Sequence, residues 1–185
     1  VSHHNLLDES TLYPEECTIE NTKEVTALLE AYGVPVYLSG HLHLQRIKKH
    51  TSNLNTPGGY GIREIVTSPL PMAPCQYSIL NWQADGSLSY HTKKVDIAGW
   101  AQRYGEEDEN LLNFDAYADQ FLVDVISKQA FKALQSASKD IKEEMARLYA
   151  DMNRDYCSGT KIDVAKIRKS EAYQYWIRYS GNDFW

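Results

Sequence analysis

Two short stretches carry side chains that could do chemistry. Ser2-His3-His4-Asn5 stands at the start of the chain. Ser39-Gly40-His41-Leu42-His43 follows an apolar run from Val34 to Leu38. Neutral imidazole is an ordinary ligand for zinc, iron, manganese or nickel when a second group holds the ring in place. It serves equally well as a hydrogen-bonding residue of a polar loop. The spacing of His41 and His43 leaves both readings open, and the added pair His3-His4 favours a shared site. Gly40 is expected to let backbone approach that site closely.

The elements around these residues suggest how they meet. Val1 and Ser2 read as the end of a strand. Asn21 offers an N-cap with Glu24 three residues on, and Val25, Leu28, Leu29 and Tyr32 make a helical stripe ending at Gly33. Val34 to Leu38 then reads as a buried strand, so helix, turn and strand form an α/β unit. Ligands of such sheets gather beyond the carboxyl ends of the strands, where both histidine stretches would lie. A polar link follows the second stretch. Further strands are expected at Ile62 to Thr67, Tyr77 to Trp82 and Leu88 to Val95, the last two joined by a turn at Asp85-Gly86.

Past Gly99 the text becomes helical, after an acidic link from Glu106 to Glu109. Phe114, Tyr117, Phe121 and Val125 make one stripe, and Ile141, Met145, Leu148 and Met152 another. A break at Ser158-Gly159-Thr160 precedes a helix starting near Asp163. The division expected is 1–99 for the α/β part and 100–185 for a helical C-terminal subdomain. Tyr173, Tyr175, Trp176 and Tyr179 form an aromatic patch, expected to pack on a core and also available as a dimer surface.

Composition narrows the field. The 185 residues are 43% hydrophobic and 24% charged, ordinary for a globular chain. The net charge of −6, without a long basic cluster, argues against wrapping a nucleic-acid backbone. Cys17, Cys75 and Cys157 are odd in number and widely spaced, which points to a reducing, cytoplasmic setting. No apolar run is long enough to span a bilayer. Because the chain opens on Val1 and its next residues already look functional, it is expected to be the C-terminal portion of a longer protein.

The His-His pair followed by Gly40-His41-Leu42-His43 resembles the last two metal motifs of the calcineurin-like metallophosphoesterases, over roughly residues 1–95. Asn5 stands where that family often has proline. The resemblance implies an α/β fold, the C-terminal half of a four-layer α/β/β/α sandwich followed by a small helical appendage. It also implies hydrolysis of a small-molecule phosphate ester by water activated between two divalent transition metals, Mn, Fe, Zn or Ni. His3 and His41 would bind one metal and His43 the other, with His4 as a catalytic residue or substrate contact. The family's Asp, Asn and further His motifs are missing, so the implied partner is an N-terminal half of the same domain, without which the fragment would be inactive. Asp8 and Glu9 read as solvated loop residues.

Two residues are candidate substrate contacts. Arg46, just behind the histidine loop, suits phosphate oxygens. Tyr60, between Gly59 and Gly61, is placed to stack on a base; its loop lacks the Lys-Ser/Thr ending of a P-loop. His50 and His91 read as surface residues. Two other classes stay open: a binding or scaffold protein on a phosphoesterase fold whose catalysis has lapsed, and an unrelated mononuclear His-rich hydrolase.

Overall fold

A computed structural model describes residues 1–7, 17–50, 61–133 and 136–179. The chain divides into two compact units. The first comprises Val1–Pro69 and Leu80–Tyr90, and the second Leu70–Ile79 and His91–Trp185.

In the first unit, helix α1 (Thr22–Ala31) is closed by Gly33, whose φ of 66° is the left-handed value that glycine takes without a Cβ penalty. Asn21 precedes the helix but makes no side-chain cap bond, so the expected capping box does not form. Strand β1 (Val36–Ser39) follows at once. Strand β2 (Arg46–Lys49) falls where the charges suggest only a polar link. Among the described strands it is an edge strand, where lysines are tolerated on the open side of the ladder. Strand β3 (Arg63–Val66) lies between them, parallel to β1 and antiparallel to β2.

The registers place Ser39, Val66 and Arg46 in one row across the sheet, with Tyr37, Glu64 and Lys48 in another. Leu6, Leu7 and Ile62 form the buried centre, packed by Ile19, Val25, Leu29 and Tyr37. The chain start runs beside β1: Ser2 N–H donates to the Leu38 carbonyl at 2.9 Å, and Gly40 N–H to the His3 carbonyl at 3.0 Å.

Strands β4 (Gln76–Trp82) and β5 (Leu88–Lys94) pair as a separate two-stranded sheet. The turn is held by Ser87 N–H donating to Asp85 Oδ1 at 2.9 Å, with Gly86 at φ 83°. The expected half of a four-layer sandwich is therefore corrected. Among the described residues there is a three-stranded and a two-stranded sheet, and β4 and β5 keep most of their side chains exposed or half-exposed. A sandwich layer would bury one whole face of each strand.

The second unit is mainly helical: α2 (Ile97–Tyr104), α3 (Glu109–Leu112), α4 (Phe114–Ala133), α5 (Lys139–Ser158), α6 (Val164–Lys169) and α7 (Glu171–Tyr179). Asp96 caps α2 through Gly99 N–H at 2.9 Å, and Asp163 caps α6 through Lys166 N–H at 3.0 Å. The core between α4 and α5 is Val123 and Ile126 against Ala146 and Ala150, whose small side chains let the helices approach. The expected stripe of Tyr117, Phe121 and Val125 lies on an exposed face of α4 instead. Met145, fully buried, receives Tyr175, Trp176 and Tyr179 of α7, and Trp176 Nε1 donates to the Met145 carbonyl at 2.9 Å. No helix of the described residues is long and apolar enough to cross a membrane.

Candidate active site

Three of the four expected histidines converge. The Gly40 to His3 backbone bond sets the chain start against the end of β1, so His3 and His4 face the residue that leaves the strand. His41 Nδ1 lies 3.1 Å from His3 Nε2, a hydrogen bond in which one ring donates and the other accepts. Ring centroids are 5.0 Å apart for His3 and His41, 4.4 Å for His4 and His41, and 5.1 Å for His3 and His4. His3 is exposed while His4 and His41 are half-buried, so the cluster is open to a solute.

The loop after β1 is strained. His41 at φ 60° and His43 at φ 55° both occupy the left-handed region, which costs a non-glycine residue on the order of 1–2 kcal/mol. Such outliers concentrate where a side chain must be aimed. Gly40 does not have the role expected of it: a Cβ there would meet only the His3 carbonyl, at an ordinary 3.9 Å. His43 is exposed one residue beyond Leu42, and the ring pairings described above run among His3, His4 and His41.

Arg46 opens β2 in the same row as Ser39, the residue two before His41. Two strand spacings put their Cα atoms roughly 10 Å apart. Its side chain is exposed. Tyr60, Asp8 and Glu9 lie outside the described residues. His50 sits 3.8 Å from the Glu30 carboxylate, and His91 is exposed on β5.

One residue of the site has no motif to announce it. Glu64, in the central strand, is fully buried. Its Oε1 accepts from Leu6 N–H at 2.7 Å, Ser39 Oγ at 2.6 Å and Asn5 Nδ2 at 3.3 Å, while Oε2 accepts from Leu7 N–H at 2.6 Å. Asn5 Nδ2 also donates to Ser39 Oγ at 3.1 Å. The only sequence signal is a glutamate next to Arg63 in a short strand that ends on Ile65 and Val66.

Residues 96–185 match the family described as the C-terminal domain of cyclic nucleotide phosphodiesterase. No curated protein matches the chain. The matched residues belong to the helical part and do not include the imidazole cluster.

These findings correct the resemblance to calcineurin-like metallophosphoesterases, because the family that matches is a different one. The two-metal centre, the metals Mn, Fe, Zn or Ni, and the reading as a metal-requiring fragment awaiting its other half fall with it. Among the described residues no group of three or more His, Cys, Asp or Glu side chains is disposed to hold a metal ion. His3 and His41 are bonded to each other through one nitrogen of each ring, and Glu64 accepts from four protein donors.

Proposed function

We propose that the chain is part of a phosphodiesterase for cyclic nucleotides, with His3, His4 and His41 at the scissile phosphate. The observation that carries this reading is the 3.1 Å bond between His3 and His41 beside a third imidazole, open to solvent. The match of residues 96–185 to a cyclic nucleotide phosphodiesterase domain supports the substrate class.

Hydrolysis of a cyclic phosphodiester forms a bond from a water oxygen to phosphorus and breaks the bond from phosphorus to a ribose oxygen. One proton leaves the water and one must reach the departing alkoxide. Imidazole changes charge near neutral pH, so a cluster can present a neutral base and a cationic acid together. In this reading His4, against His41, touches the substrate directly, and the His3–His41 pair holds the shared proton. Arg46, in the same row across the sheet as Ser39, contacts the phosphate oxygens, and Tyr60 the base. Residues 1–99 then carry the chemistry and 100–185 form the helical subdomain. Three buried cysteines, odd in number and widely spaced, support a cytoplasmic setting.

The test is a panel of 3′,5′- and 2′,3′-cyclic nucleotides assayed with the full chain and with His41→Ala. Turnover of a cyclic nucleotide that falls at least a hundredfold in the variant is the expected result. Turnover equal in the two proteins, or none in the unaltered chain, overturns the reading.

A further inference from the structure

We infer that Glu64 is the positioning residue of the imidazole cluster, deepening the reading of that cluster as the catalytic site. It is the group that binds both histidine-bearing segments at once. The backbone N–H groups of Leu6 and Leu7, immediately after His3-His4-Asn5, donate to its two oxygens at 2.7 and 2.6 Å. Ser39 Oγ, two residues before His41, donates to the same carboxylate at 2.6 Å. Asn5 Nδ2 bridges the two sides through Ser39 Oγ and Glu64 Oε1.

The location gives this bracket its rigidity. Glu64 belongs to β3, paired on both sides, so its backbone cannot shift without moving β1 and β2. Tyr37, beside it in the same row, sends its hydroxyl to the His4 carbonyl at 3.5 Å. The left-handed backbone at His41 lies just beyond the bracketed Ser39 and needs such a frame to persist.

Stability alone does not explain a carboxylate here. A fully buried charge must be matched by several good hydrogen bonds before it breaks even with an apolar side chain of similar size. What a planar carboxylate adds is direction: two oxygens that fix donors from two separate segments in one geometry. A misplacement of about 1 Å at a reacting group can cost on the order of a hundredfold in rate.

The experiment compares the unaltered full chain with Glu64→Gln by two readouts. Imidazole ring signals in ¹H–¹⁵N spectra report ring placement without substrate, and cyclic nucleotide turnover reports chemistry. The amide side chain of the variant keeps the volume but turns an N–H₂ towards donors. Expected are a retained dispersed amide spectrum, shifted His3 and His41 ring signals, and kcat lowered roughly 10–100-fold with KM within about threefold. Unshifted rings with unchanged kcat overturn the positioning role while leaving the proposed reaction standing. If the unaltered chain turns over no cyclic nucleotide, the proposed reaction fails, and the ring signals alone decide for or against Glu64.

Should Glu64→Gln not fold, Ser39→Ala removes one donor from the bracket and Ser39→Thr restores a hydroxyl. Shifted His41 signals in the alanine variant, returned by threonine, support the role. Rings unmoved by Ser39→Ala overturn it.

Discussion

His3 Nε2 and His41 Nδ1 are 3.1 Å apart, joined across the chain start and the loop that leaves β1. Neither residue is near the other in sequence, and the contact exists because Gly40 N–H and the His3 carbonyl lock the two backbones at 3.0 Å. Side chains that share one hydrogen bond in one site act as a unit. In the proposed hydrolysis of cyclic nucleotides, the rate losses of His3→Ala and His41→Ala should therefore be strongly non-additive. The double variant is expected to be about as slow as the worse single one; a product of the two losses would show that the rings work independently.

His43 lies exposed at φ 55°, a conformation glycine adopts freely. Replacing it by glycine should leave stability unchanged or raise it by up to about 1 kcal/mol, the relief of left-handed strain less the entropy that glycine gives up and the contacts that the ring makes. Urea denaturation of the whole chain measures this. A loss of stability would mean that the His43 side chain contributes more than its strained backbone costs.

The two faces of α4 make opposite predictions. Ile126 is buried against α5, and Ile126→Ala should cost about 2–5 kcal/mol through lost burial and the cavity left behind. Phe121 is 55% exposed, and Phe121→Ala should stay within about 0.5 kcal/mol. Thermal melts of the two variants give the comparison, and equal losses would mean that the exposed face is covered in solution.

Burial pushes the Cys157 thiol above its ordinary 9.0. Cys75 shifts the same way, by burial first and the nearby Asp115 carboxylate second, with Lys94 opposing. Both thiols are protonated in the folded and unfolded chain at neutral pH. Above about pH 9 the unfolded chain releases these protons first, so their contribution is full below that pH and is lost as pH rises through the folded values. Stability should be flat from about pH 7 to 8.5 in this respect and decline above about 9, and Cys157→Ser should lessen the decline. Native Cys157 should also react with iodoacetamide far more slowly at about pH 8 than it does in urea.

Much was legible where chemistry is local. Glycine at 33, 86 and 159 closes an element or turn at positive φ, as a residue without Cβ does. The 3.6-residue stripes placed α1, α4 and α5, and strand β1 ended where the histidine loop begins. The lysines of β2 hid that strand, because an edge position is a property of the sheet and not of the segment. For α4, periodicity showed that apolar residues recur but not which face wins. Ala146 and Ala150 on α5 chose Val123 and Ile126 by allowing close approach.

At the site, residue types and strand ends led to the expectation that His3, His4, His41 and His43 share one edge of the sheet; in the structure the rings of His3, His4 and His41 lie close together. Extending the motif to a metal centre was the step that failed, since a short motif carries no information on what its lone pairs face. Tertiary structure alone decided that His3 and His41 bond to each other and that Arg46 shares a row with Ser39. It alone revealed Glu64 as the buried anchor, because its donors arrive from the chain start before α1 and from the last residue of β1, and only folding brings them to one carboxylate.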